Sequence, residues 1–267
     1  MPKLSDWKPG NNLFALFIGR SGSGKSSASC SFDIPHVCDF DGRMGGVANY
    51  KDIIGHEVLY NTYLPGKAKW PEIDKYLEIL NIPQSRSTKT EIIAGLGSMA
   101  RVFMVESMTL QKGYVVGDQK SGLRISGVAD YGYESSAVLQ VLDYLKMLSL
   151  SMNVICEAHI LDKYGKPGLE DTGAMTPLEL ESWKKQILES VILGEKLDLR
   201  DKLENVVHGK FDEVYRFEKR EEKGKDKFYV KFKGDLARTS LNLPPGEHDI
   251  TGKNFYHFWC ECLGKEK

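Results

Sequence analysis

Residues 19–26 read GRSGSGKS and satisfy the pattern GxxxxGK[ST] at every specified position. They follow LFALFI at 13–18, a continuous apolar run of the kind that forms a strand buried on both faces of a parallel sheet. A stretch compatible with a helix follows from about Lys25. Strand, glycine-rich turn and helix in that order make a phosphate-binding loop. Glycines let the backbone wrap tightly enough for successive N–H groups to face an anion, and the helix start adds its positive end. The residues expected to cradle the phosphates are Gly19, Arg20, Ser21, Gly22, Ser23, Gly24, Lys25, Ser26 and Ser27. Lys25 is expected to bridge the β- and γ-phosphates of ATP, and Ser26 to place its hydroxyl on Mg²⁺.

Charge and composition narrow the field further. The 267 residues carry 36 Lys and Arg against 37 Asp and Glu, which argues against a generally basic nucleic-acid binder and against an acidic solvating tail. The longest apolar stretch, 13–18, is far below the roughly 18–20 residues that a membrane helix needs. The first ten residues hold Asp6 and two prolines and show no secretory pattern. Five scattered cysteines make a disulfide framework improbable, so a reducing, cytoplasmic setting is expected. Cys260 and Cys262 beside His257 are only a weak zinc pattern.

Further strands are expected at 36–40, 101–105 and 153–158, with helices over 70–80 and 135–150. In the second helix Val138, Val141, Leu142, Leu145 and Leu148 share one face. Two alternating runs, 213–217 and 227–232, flank a charged turn and read as a hairpin. The pattern is α/β with a mainly parallel central sheet and a C-terminal β-hairpin. It divides into an arm at 1–12, a core at 13–240 and an extension at 241–267. Two glycine-bearing stretches, 111–132 and 161–180, show little periodicity, and loops this long are usually functional.

Several acids and one histidine stand at expected strand ends. Glu106, closing the run 101–105, is expected to hold Mg²⁺ through water alongside Ser26. Asp41, two residues after Asp39, is expected to activate the attacking water, with Asp39 in support. Glu157 and His159 close the strand at 153–158, where His159 is placed to sense the γ-phosphate. Nine Lys and Arg between 216 and 238 face five acids, a local surplus that would suit phosphates. Lys112, Tyr114, Lys120 and Arg124 mix cations with an aromatic, as a single-strand path does.

Taken together, the GRSGSGKS loop, the Cys-Asp-Phe-Asp segment at 38–41, FMVESMT at 103–109, Asp130-Tyr131-Gly132 and NVICEAH at 153–159 resemble the phage RecA-like ATPases, which serve as recombinases or single-strand annealing proteins. The resemblance covers about residues 10–240. It implies a RecA-like P-loop NTPase core, ATP and Mg²⁺, single-stranded DNA binding, assembly into filaments or rings, and a host cytoplasmic setting. A single-strand-binding protein is a further partner it suggests. It also implies that Asp41 occupies the place of a catalytic glutamate, that Glu106 replaces the usual aspartate, and that 111–132 and 161–180 are DNA-binding loops. Lys231 and Lys233 resemble lysines inserted into a neighbouring subunit's ATP site. The alternatives are a P-loop nucleotide or small-molecule kinase, or a non-catalytic module whose assembly ATP switches. A kinase needs a lid bearing arginines, and 161–190 contains none.

Overall fold

The computed structural model describes residues 12–64, 71, 73, 74, 87–110, 128–165 and 191–265. Strand β1 (Phe14–Gly19) is buried at all six positions, as a run without polar alternation requires. It lies between β5 (Asn153–Gly165) and β7 (Glu213–Glu222) and runs parallel to both. Strands β2 (Pro35–Asp39) and β4 (Thr90–Ala94) are also buried throughout, whereas β3 (Leu59–Thr62) is an exposed edge. The sheet order is β3-β2-β4-β5-β1-β7-β8-β9, where β8 (Lys225–Lys231) and β9 (Glu247–Asp249) are antiparallel additions. Strand β6 (Val191–Leu197) pairs antiparallel with the outer part of β5. The fold is the expected α/β type with a mainly parallel central sheet and a hairpin beyond it.

Alternating side chains of β1 feed two opposite layers. Phe14, Leu16 and Ile18 pack with α4 (Leu96–Leu110), α5 (Val128–Leu148) and α6 (Asp201–Lys210). Ala15 and Phe17 pack with the short α1 (Lys25–Ser29), α2 (Met44–Ala48) and α3 (Lys51–Ile54), and with α7 (Phe255–Cys262). Helix α7 is capped by Asn254, whose side chain accepts from the His257 N–H. Its Trp259 indole donates to the Tyr215 hydroxyl at 3.0 Å, so residues 255–262 share a core layer with β1 and β7. All five cysteines are free, as expected from their scatter. No helix among the described residues is long and apolar enough to cross a membrane.

The expected strand at 101–105 is a correction: those residues lie within α4. A four-residue apolar run cannot separate strand from helix, but the buried positions Leu96, Met99, Ala100, Phe103 and Ser107 recur at helical spacing. The strand in this part of the sheet is instead β4, one element earlier. Its sequence TEIIA hides it, because Glu91 puts a carboxylate in the middle of a buried strand. That charge is tolerated through register: Glu91 faces His36 on β2, with Nδ1 3.1 and 3.2 Å from its two oxygens. The long helix begins at Val128 rather than 135, and the hairpin strands extend to a tight turn at Lys223 and Gly224, both at positive φ. The expected helix over 70–80 and the arm at 1–12 lie largely outside the described residues.

The buried His36–Glu91 pair makes a stability prediction. Burial alone would lower the His36 pKa, but the hydrogen bond and charge of Glu91, with a hydrogen bond to Asn61, outweigh it and raise the value. The stabilisation is therefore full below the ordinary imidazole range and drains away as pH rises through the raised His36 value. Glu91→Ala is expected to cost roughly 3–5 kcal/mol, the penalty for breaking one partner out of a buried pair. Urea unfolding of wild type and variant between pH 6 and 9 checks both statements.

Candidate functional site

Parallel pairing brings the carboxyl ends of β1, β2, β4 and β5 to one edge, where a cavity of about 390 Å³ opens over the glycine-rich loop. Residues 21–27 line it together with Asp39, Asp41, Arg43, Tyr50, Ala94, Glu157, His159, Lys219 and Phe228. Gly24 sits at φ +91°, and a Cβ there would lie 3.1 Å from the Phe228 ring, so both conformation and space call for glycine.

Lys25 is buried and wrapped by its own loop. Its ammonium donates to the carbonyls of Gly19 at 2.8 Å and Arg20 at 3.0 Å and lies 3.5 Å from Ser23 Oγ. Burial, opposed by the charges of Glu157 and Asp41, brings its pKa down to about 8. The Arg20 guanidinium turns outward to Asp162 and Glu195, so this residue offers the loop its carbonyl rather than its charge. Arg43 supplies a cation instead, donating to Ser21 Oγ at 2.7 Å from across the cavity.

Glu157 is almost wholly buried beneath α1, where its two oxygens accept from Ser26 Oγ at 2.6 Å and Ser29 Oγ at 2.5 Å. Burial raises its pKa, and the two hydroxyls and the Lys25 charge act against that rise. The carboxylate beside Ser26 thus comes from β5, the strand adjacent to β1. Glu106, expected at this place, lies on α4 and does not line the cavity. Burial raises its pKa, and its Oε2 has no partner among the described residues. The reason is the shift of the strand to β4, which ends in Ala94 and Gly95 and carries no acid at its tip.

Asp41 and His159 do meet in the cavity. Lys25 can only donate, so His159 Nδ1, 3.4 Å from its ammonium, is the acceptor. The opposite ring nitrogen then donates to Asp41 Oδ2 at 2.9 Å, while Ser98 donates to Asp41 Oδ1 at 2.6 Å. Burial by itself raises the Asp41 pKa, but these hydrogen bonds and the charge of Arg43 bring it down to about 2. Both oxygens are engaged and the group is a weak base, so Asp41 is suited to orienting His159 rather than to taking a proton from water.

Lys231 and Lys233 do not line this cavity. Lys231 is held by Asp235 at 2.9 Å, Glu218 at 3.4 Å and Glu247 at 3.6 Å, and no unpaired charge is left to project. Lys233 is exposed, with no charged partner among the described residues. Most of the apparent cation surplus is also consumed by ion pairs, among them Arg216 with Glu195, Lys219 with Asp226 and Arg220 with Glu247. Sequence reasoning missed Arg43, Tyr50, Ser98 and Phe228. Arg43 follows Asp41-Gly42 closely enough to have been found, but Tyr50 and Phe228 reach the cavity, and Ser98 reaches Asp41, only through tertiary contacts.

No family model matches the sequence, and no curated protein matches it. Among solved structures the chain is similar to the KaiC-like protein PH0186 of Pyrococcus horikoshii OT3, at 10% identity and a TM-score of 0.40 over 89% of this chain and 84% of that one. It is likewise similar to the flagellar accessory protein FlaH of Methanocaldococcus jannaschii, at 11% identity and 0.39 over 89% and 88%. These likenesses are too distant to carry a function across.

Gly95 offers a direct check on the site. It sits at φ +91°, and a Cβ there would fall 2.4 Å from Asp41 Oδ1. Gly95→Ala is expected to displace the Asp41 carboxylate from Ser98 and His159 and to cost about 1–3 kcal/mol in strain. Thermal unfolding, with the His159 ring signals followed by NMR, reads both effects.

Proposed function

We propose that this chain is a Mg²⁺-dependent P-loop ATPase with a RecA-like core. The observation that carries the reading is the joint placement of the Lys25 ammonium, the Ser26 hydroxyl and the buried Glu157 carboxylate at the mouth of the loop. ATP phosphates would take over the Lys25 ammonium from the Gly19 and Arg20 carbonyls and meet Arg43 from the far side. Tyr50 and Phe228, edge to face with ring centroids 6.3 Å apart, offer apolar surface for the nucleoside base at one end of the cavity. Ser26 and Glu157 are the residues that would hold the cation. The orphaned, buried Oδ2 of Asp39 fits a polar guest in the same cavity. When bound, Mg²⁺ supplies charge neutralisation to the phosphate oxygens.

Asp41 holds His159 in the tautomer whose Nδ1 faces Lys25, so arrival of a γ-phosphate at Lys25 would be felt at β5 and at the segment that follows it. This contact supports a coupling between the nucleotide state and whatever partner that segment meets. For the partner we propose single-stranded DNA, bound by an oligomer. Support comes from the sequence resemblance and from the cation and aromatic residues Lys112, Tyr114, Lys120 and Arg124, which lie outside the described residues. With Arg216, Lys219, Arg220, Lys227 and Lys231 engaged in ion pairs, DNA affinity rests mainly on the two long segments and on many subunits acting together.

Two measurements test this reading. Lys25 carries its positive charge to the phosphates only when protonated, and its pKa near 8 in the free protein means that binding must take up a proton above that pH. ATP affinity is therefore expected to fall as pH rises from 8 to 9.5, by up to about 10-fold per unit, and Lys25→Ala should lose both the pH dependence and roughly 1.5–3 kcal/mol of binding. In the second measurement, ATP turnover is followed with and without single-stranded DNA across a salt series. Stimulation that fades with salt is expected; turnover indifferent to DNA would leave the ATPase and remove DNA as its partner.

A further inference from the structure

Asp39 has no settled use in the site as described. It is 2% exposed. Its Oδ1 accepts the backbone N–H groups of Asp41 at 3.1 Å, Gly42 at 2.8 Å and Arg43 at 3.4 Å, which pins the carboxylate in one orientation. Its Oδ2 is buried and has no partner among the described residues. A carboxylate oxygen kept from water and left without a donor is an unstable arrangement unless something polar joins it.

Register shows where the guest would sit. Asp39 pairs with Ala94 across β2 and β4, and Ala94 pairs with Glu157 across β4 and β5. Residues in register on parallel strands share a face, so Asp39, Ala94 and Glu157 form one row. That row faces α1, because Glu157 reaches Ser26 and Ser29 from it. Two carboxylates thus stand two strand spacings apart, about 10 Å, with only a methyl group between them. All three line the cavity over the phosphate-binding loop. The gap is polar on both sides, open in the middle and bordered by Ser26, which suits a hydrated divalent cation whose waters are shared by both acids.

We propose that Asp39 is a positioning residue for the nucleotide's divalent cation, acting with Glu157 across the Ala94 gap. The proposal rests on the nucleotide-binding reading, and it assigns the free Asp39 oxygen to the hydration shell of the cation rather than to the attacking water. It also explains why Asp41, with both oxygens engaged, and Asp39, with one free, differ in role although they stand two residues apart.

The test uses the full chain, ADP and Mn²⁺ as the spectroscopic cation. ADP affinity is measured first in EDTA, and Mn²⁺ affinity of the protein–ADP complex is then read by electron paramagnetic resonance. Asp39→Asn keeps an acceptor for the three backbone N–H groups but loses the charge. It is expected to weaken Mn²⁺ binding by about 10-fold or more while ADP affinity in EDTA stays within about twofold. Ala94→Leu fills the gap without changing the charge of either acid and should produce the same loss, which decides the matter if the first variant folds poorly by circular dichroism. Mn²⁺ affinity unchanged in either folded variant, with ADP still bound, overturns the role of Asp39 and leaves the nucleotide site standing. Wild-type protein that binds no ADP in EDTA overturns the nucleotide reading, and this inference with it.

Discussion

A carboxylate buried beneath a helix has few stable options, and Glu157 shows which one this chain adopts. With almost no exposure, it must have hydrogen-bond donors, and the hydroxyls of Ser26 and Ser29 provide one for each oxygen. Those serines lie one turn apart on α1, so the contact ties the phosphate-binding loop and its helix to β5. Pairing of β5 with β1 then holds Glu157 opposite Phe17 and His159 opposite Gly19. The position of Lys25, the tautomer of His159 and the orientation of Asp41 all follow from that alignment. Moving β5 by one residue would turn Glu157 to the other face and leave the serines without their acceptor.

The arrangement also sorts acids that look alike in sequence into different tasks. Glu157 is held at α1, Asp41 is consumed in fixing His159, and Asp39 keeps one oxygen without a partner among the described residues. Glu91, buried deeper in the sheet, serves stability by pairing with His36. Environment rather than residue type makes the difference: the same carboxylate is a clamp, an orienter or the holder of an unpartnered oxygen according to which donors reach it. Charge on the β7–β8 hairpin behaves in the same way. A surplus counted along the chain becomes, in three dimensions, a lattice of pairs in which Lys231 faces three acids.

Much of this was legible in the sequence, and the reasons differ from element to element. The run at 13–18 and the loop at 19–26 are local features, in which apolar continuity and glycine placement act within a few residues, and both stand where expected. The helix at 128–148 was readable from the spacing of Val138, Val141, Leu142, Leu145 and Leu148, all of them buried. The element at 90–94 was not readable, because the charge of Glu91 masks a buried strand whose compensation, His36, is 55 residues away. The apolar run at 102–105 was misread because four residues satisfy both periods. That one misreading also put Glu106 at a strand tip, whereas it lies on a helix away from the cavity and the carboxylate beside Ser26 is that of Glu157.

By itself the sequence determined that this chain folds around a buried parallel strand ending in a glycine-rich loop, with Lys25 and Ser26 at its far end. Steric freedom at glycine and the burial of a short apolar run are properties of neighbouring residues, so they can be read along the chain. Only the tertiary structure decided which acid stands beside Ser26, which cations enter ion pairs and which carboxylate oxygen is left buried without a partner among the described residues. Those outcomes depend on strand order and register, which bring together residues more than a hundred positions apart and set how much water each charge retains.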